Sequence, residues 1–163
     1  MIDSLIRTHG KRLYGFCMTL CKNTSDADDL YQDTWLKVID NIGKYDTSKP
    51  FEPWLIHICA NIYRNRIRRI SHSPFFDSFS SNEEKDTIIE NIPVASQADY
   101  SGLHAAINRL PEKLRLCVIL YYFQDMDIPS TARILSIPEG TVKSRLNKAR
   151  KKLKEDLPDE TAI

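Results

Sequence analysis

The run from Ile137 to Leu153 constrains the fold more than any other stretch, because its apolar residues repeat at helical spacing. Val142, Leu146, Ala149 and Leu153 fall at steps of four, three and four, which gathers them into one apolar stripe. Ser144, Asn147, Lys148 and Lys151 fall on the opposite side, with Lys143 and Arg145 on the flanks and Thr141 at the start. A short apolar helix, Thr131 to Leu135, is expected just before it across a tight turn. That order is a helix-turn-helix, in which the first helix braces the second and the second offers its polar face to a groove.

Charge separates this helix from an ordinary amphipathic surface helix with solvated lysines. From Glu139 to Lys154 seven basic side chains face a single acidic one, Glu139, which stands at i,i+4 to Lys143 alone and leaves most of the repulsion unrelieved. Such self-repulsion is tolerated for a polyanionic partner, so the helix is read as DNA-binding. The formal total of +1 hides a division of the chain. Residues 1–72 are net +3, residues 73–100 net −5 and residues 101–163 net +3.

Apolar residues recur at helical spacing nearly everywhere outside 71–100 and strand signals are almost absent, so the expected class is all-α. The expectation is two small helical domains, 1–72 and 101–163, joined by an acidic flexible linker over 73–100. A first helix is expected from Ser4 to Lys22, burying Leu5, Leu13, Phe16 and Leu20. Thr24 or Ser25 is expected to cap a second, with Asp26, Asp28 and Asp29 at its positive end and Ala27, Leu30, Thr34, Val38 and Ile42 inward. Gly43 to Pro53 reads as a loop and Trp54 to Ile70 as a third helix. The second domain is expected to place helices at Leu103–Arg109, Glu112–Tyr122, Thr131–Leu135 and Glu139–Leu157. Domains of about 60–70 residues bury only about 60% of their unfolded surface and are marginal alone. In the linker, serines precede an acidic patch, and Phe75, Phe76 and Phe79 are too apolar for a purely solvated tether, so they are expected to dock on this protein or on a partner.

Cys17, Cys21, Cys59 and Cys117 lie on apolar faces with no Cys-x-x-Cys pair, which reads as reduced, buried thiols of a cytoplasmic protein. Charges interrupt every apolar run near Met1, and no stretch reaches the ~18 apolar residues of a spanning helix, so neither a signal peptide nor membrane insertion is expected. His57, His72 and the scattered aspartates form no metal or catalytic constellation, and a phosphate-binding glycine loop is missing. The expectation is a protein that is not an enzyme and needs no metal or cofactor.

The first domain carries two functional faces. Asp29, Asp33, Leu36 and Asp40 repeat at four, three and four opposite the buried stripe, with Gln32 at their edge. Three aspartates alone would be a solvated face, but an exposed leucine among them points to a protein contact. On the third helix Arg64, Arg66, Arg68 and Arg69 complement the helix dipole. His57, Asn61, Arg64 and Arg68 nevertheless form one exposed stripe of donors, more than capping requires. The loop Lys44 to Phe51, with Tyr45 and Lys49, mixes aromatic, basic and small polar groups suited to an unpaired base. For Phe51, and as an alternative for Tyr45, the reading is closure of the core.

These pieces together resemble one family. Leu13-Tyr14-Gly15-Phe16, Asp26 to Trp35 and Pro50 to Asn61 are similar to sigma region 2, and Leu110-Pro111-Glu112-Lys113-Leu114-Arg115 and Ile137 to Leu153 to sigma region 4. The chain resembles an extracytoplasmic-function (ECF) sigma factor of bacterial RNA polymerase. The resemblance implies that Asp29, Gln32, Asp33 and Leu36 dock on core polymerase. It implies that Lys44, Tyr45, Lys49, His57, Asn61, Arg64 and Arg68 engage the −10 element of promoter DNA. The last helix, through Thr141, Lys143, Ser144, Arg145, Asn147, Lys148 and Lys151, would read the −35 element. It also implies an acidic connector, a cognate anti-sigma factor able to hold the protein at a membrane, and no nucleotide hydrolysis. Three positions depart from the family pattern: Ser130 stands for a glutamate, Thr131 for an aliphatic residue, and Ser136 for the turn glycine, where it is expected to strain a left-handed position.

Overall fold

The computed structural model describes residues 1–71 and 102–157, and all its regular structure among these residues is helical. The chain divides into two compact units, the first Met1–Arg69 and the second starting at Ile70. The acidic connector with Phe75, Phe76 and Phe79, and His72, lie outside the described residues.

The first unit is a three-helix assembly: α1 (Ile2–Leu20), α2 (Thr24–Asn41) and α3 (Phe51–Ser71). Helix α1 ends before Cys21, two residues short of the expected Lys22, because Cys21 turns into extended backbone. The cap of α2 is Asn23 and neither Thr24 nor Ser25. Its Oδ1 accepts from the Asp26 amide at 2.8 Å and its Nδ2 donates to the Asp26 carboxylate at 2.7 Å, closing a reciprocal cap. Helix α3 starts at Phe51, three residues before the expected Trp54. Pro53 thus lies in the first turn, where no amide donor is needed.

The core of this unit combines Leu13, Phe16, Cys17 and Leu20 with Ala27, Leu30, Trp35 and Val38, and with Leu55, Ile56, Cys59 and Ala60. Leu5 and Ile42 are only half-buried, whereas Trp35, which the periodicity did not assign inward, is buried. Thr34 is fully buried and donates its hydroxyl to the Leu30 carbonyl at 2.7 Å, so the polar group carries no unmet demand. Gly10 lets α2 lie close: a Cβ there would stand 2.8 Å from the Tyr31 hydroxyl. The thiols of Cys17 and Cys59 meet at 3.7 Å across α1 and α3, and this contact together with burial drives the Cys17 pKa far upward. All four cysteines are free and buried.

The second unit holds α4 (Gly102–Asn108), α5 (Glu112–Val118), α6 (Ile128–Leu135) and α7 (Glu139–Asp156). Helix α5 does not run as α-helix to Tyr122. It passes at Ile119 into a π-helical turn, Ile119–Phe123, which leaves Tyr122 49% and Phe123 38% exposed while Ile119 and Leu120 stay in the core. Arg115 is fully buried, with its guanidinium 3.5 Å from Glu112. Helix α6 starts at Ile128, earlier than the expected Thr131. Asp127 caps it by accepting from the Ser130 amide at 2.8 Å, and Ser130 holds the Asp127 carboxyl below the usual carboxylate range. Thr131 is fully buried in place of an aliphatic residue, and its hydroxyl donates to the Asp127 carbonyl at 2.9 Å.

The turn between α6 and α7 closes as a Schellman motif. The Ile137 amide donates to the Ala132 carbonyl at 3.1 Å and the Ser136 amide to Arg133 at 3.3 Å. Ser136 takes the left-handed position with φ 56°, so a residue with a Cβ occupies a site that favours glycine. Ser136→Gly is expected to stabilise the second unit by about 0.5–1 kcal/mol, net of the extra chain entropy glycine loses. Chemical denaturation of the full chain, followed by the C-terminal helical transition, checks this; a lower midpoint refutes it.

Candidate nucleic-acid and protein-docking faces

Helix α7 has the two faces its sequence dictates. Val142, Leu146 and Ala149 are buried against α5 and α6, and Leu153 is half-buried further along. Lys143, Ser144, Asn147, Lys148 and Lys151 are all exposed, while Thr141 is half-buried. Eight residues of one helix are thus split by burial alone into a core-packing side and a donor-rich side. Arg145 departs from the free flank expected of it. It is half-buried, and its positive charge near the Cys117 thiol partly offsets the upward push that burial gives that group. Asn147 is exposed but not free, because its Oδ1 accepts from Arg150 Nη1 at 2.9 Å.

The α3 face differs from expectation in exposure. Of His57, Asn61, Arg64 and Arg68 only Arg68 is exposed, and the other three are half-buried. A stripe counted at helical spacing fixes which residues share a side of the helix and not how far their neighbours cover it. Burial and then the Arg64 cation lower the His57 pKa, so the ring is neutral near pH 7 and offers one donor and one acceptor. Arg64 reaches Asn61 Oδ1 at 3.5 Å, which turns the amide nitrogen of Asn61 outward.

The loop ahead of α3 is built rather than slack. After a 3-10 turn, Ile42–Lys44, Asp46 Oδ1 accepts from the Ser48 amide at 3.0 Å and from the Ser48 hydroxyl at 2.6 Å. Those bonds hold the Asp46 carboxyl below its ordinary pKa. Tyr45 is half-buried, and its ring lies 5.4 Å from Phe51 and 5.0 Å from Trp54, with its hydroxyl donated to the Lys49 carbonyl. The Tyr45 ring therefore helps close the core, as Phe51 does, and Phe51 also meets His9 at 5.0 Å and Trp35 at 6.4 Å. Lys44 and Lys49 remain exposed on either side of this anchor.

On α2 the stripe Asp29, Gln32, Asp33, Leu36 and Asp40 is exposed throughout. Leu36 is 60% exposed and Ile39, which the sequence reading passed over, 47%. The signal for Ile39 was available: it lies three residues from Leu36, on the same side. Asp33 is ion-paired with Arg66 of α3, so one carboxylate of the stripe also ties α2 to α3. Among the described residues no group of His, Cys, Asp and Glu is placed to hold a metal ion, and no helix is long and apolar enough to cross a membrane.

Comparison with known proteins matches both units. Residues 5–72 fit the model of Sigma-70 region 2, and residues 101–153 that of Sigma-70, region 4. The chain is 26% identical to the ECF RNA polymerase sigma factor SigW of Bacillus subtilis, over 95% of this chain and 88% of SigW. It is 31% identical to the ECF RNA polymerase sigma factor SigM of Mycobacterium tuberculosis, over 93% of this chain and 74% of SigM. The sigma factor RpoE of Bartonella quintana, solved with the anti-sigma factor NepR, shares the fold with a TM-score of 0.71 at 21% identity, covering 94% of each chain. CnrH, solved with the cytosolic domain of CnrY, shares it with a TM-score of 0.63 at 21% identity over 94% of this chain and 85% of that one. With both regions present in order and full-length relatives at this identity, the chain belongs to the extracytoplasmic-function RNA polymerase sigma factors of the sigma-70 family.

Proposed function

We propose that this sigma factor carries core RNA polymerase to promoters by a division of labour between its two units. In the first unit, Asp29, Gln32, Asp33 and Leu36 of α2, with Ile39 beside them, dock on the core enzyme. Lys44 and Lys49 on the braced loop, and His57, Asn61, Arg64 and Arg68 of α3, engage the −10 element, with Tyr45 holding the loop in shape. In the second unit α7 enters the major groove of the −35 element. Asn147 and Ser144 address base edges, Lys143, Lys148 and Lys151 address phosphates, and Thr141 and Arg145 support the helix at its inner edge. The observation that carries this reading is the split of α7, whose apolar stripe is sealed while its cationic stripe is exposed.

No catalytic step falls to this chain. Opening DNA unstacks base pairs at about 1.4 kcal/mol per step, and extruding a base costs a few more. A preshaped loop that receives the flipped base offsets part of that, without nucleotide hydrolysis. A cytoplasmic protein captured by an anti-sigma factor fits the same surfaces, since the sigma factor RpoE, which shares this fold, was solved with the anti-sigma factor NepR. A stand-alone DNA-binding regulator would leave the exposed Leu36 and Ile39 unused, and co-purification with core polymerase separates the two readings.

Transcription in vitro with core enzyme on a small promoter library tests the function directly. Asn61→Ala and Arg64→Ala are each expected to impair promoter opening, read as reactivity of unpaired thymines, while −35 binding stays near wild type. Normal open complexes from both variants would remove the −10 assignment.

A further inference from the structure

Helix α7 carries a second feature that its charge pattern does not reveal. Tyr122, on the π-helical turn, accepts a hydrogen bond from Arg150 Nε at 2.8 Å, and the same guanidinium lies over the Tyr122 ring, 5.7 Å from its centroid. The far end of that guanidinium donates from Nη1 to Asn147 Oδ1 at 2.9 Å. All three side chains are exposed, so the relay lies on the surface and is not a by-product of core packing.

The chemistry of arginine fixes the direction of this relay. A guanidinium has five donors and no acceptor, so the Asn147 atom facing Arg150 is the oxygen and the amide nitrogen is turned away from it. An asparagine free to rotate reads adenine bidentately, taking N6–H on its oxygen and giving N–H to N7. With its oxygen drawn along the helix toward Arg150, Asn147 presents mainly donors. Acceptor edges, N7 and O6 of guanine or O4 of thymine, then suit it better than the mixed edge of adenine.

We propose that Tyr122 and Arg150 are specificity-determining positioning residues, which hold Asn147 as a donor and so bias the base pair under it toward guanine or thymine and against adenine. The inference rests on the −35 reading of α7. Tyr122 acts on the DNA only through Arg150, and Arg150 only through Asn147. The wider π turn matters because it sets Tyr122 out at the surface, within reach of a residue on α7.

The test uses the full-length protein with core polymerase on a library randomised through the −35 element, together with salt titrations of the preferred duplex. Tyr122→Phe keeps the ring and removes the accepting oxygen; Arg150→Lys keeps the charge and removes the planar fork. Both are expected to relax discrimination against adenine at one base pair by roughly 5–10-fold, on the order of one side-chain–base contact, with the salt slope unchanged. Asn147→Ala is expected to abolish preference at that same base pair, and adding Tyr122→Phe to it should change nothing further. Variants that keep the wild-type base profile, or shift it at a base pair that Asn147→Ala leaves untouched, overturn the inference while leaving the −35 assignment standing. Loss of all sequence preference in the wild-type protein overturns both. Matching helix content and melting of the variants exclude a folding defect as the source of any shift.

Discussion

Phe16→Ala is expected to unfold the first unit at room temperature while the second stays folded. Phe16 is fully buried, as are Leu13, Leu20, Leu30 and Ile56 of the same unit. Truncating a buried phenylalanine costs about 3–5 kcal/mol, because a cavity remains where the ring stood. A helical unit of this size holds a net stability of only about 3–5 kcal/mol, so a single cavity exhausts it. Hydrogen exchange read helix by helix on the full chain should show α1 to α3 losing protection together and α4 to α7 keeping it. Protection of α1 to α3 within about 1 kcal/mol of wild type would refute the account of this core.

The triple replacement Lys143→Ala, Lys148→Ala and Lys151→Ala is expected to weaken −35 DNA binding on the order of 10²–10³-fold at about 0.1 M salt. Each neutralised phosphate contributes about 0.9 to the slope of log affinity against log salt, so the three lysines account for about −2.7 and removing them makes the slope shallower by about that much. Alanine is the best helix former, and all three positions are exposed, so the helix itself is undisturbed. The loss should be nearly uniform across sequences, in contrast to the base-specific shift expected from Tyr122 and Arg150. An unchanged salt slope would detach these lysines from the phosphate backbone.

The contrast between those two experiments shows what a linear pattern reveals. The burial of Val142, Leu146 and Ala149 and the exposure of Lys148 and Lys151 follow from one period along one helix, so they were legible without coordinates. So was the left-handed strain at Ser136, since a turn of that length demands a special backbone position. The earlier start of α3 was hidden by Pro53, which signals a break in most contexts but is harmless in a first turn. Half-burial of His57, Asn61 and Arg64 was hidden because spacing along one helix does not show what packs beside it. The nearness of Arg145 to the Cys117 thiol, the pairing of Asp33 with Arg66 and the bond from Arg150 to Tyr122 join residues far apart in the chain and on different elements. Periodicity within a helix carries no information about such pairs.

The aromatic cluster around Phe51 has a spectroscopic corollary. Both tryptophans of the chain, Trp35 and Trp54, sit in it, and the second unit has none. Selective indole excitation therefore lights up one half of the molecule and leaves the other dark. Emission wavelength and quenching become a natural gauge of the Lys44–Phe51 loop, with no label attached and no engineered probe.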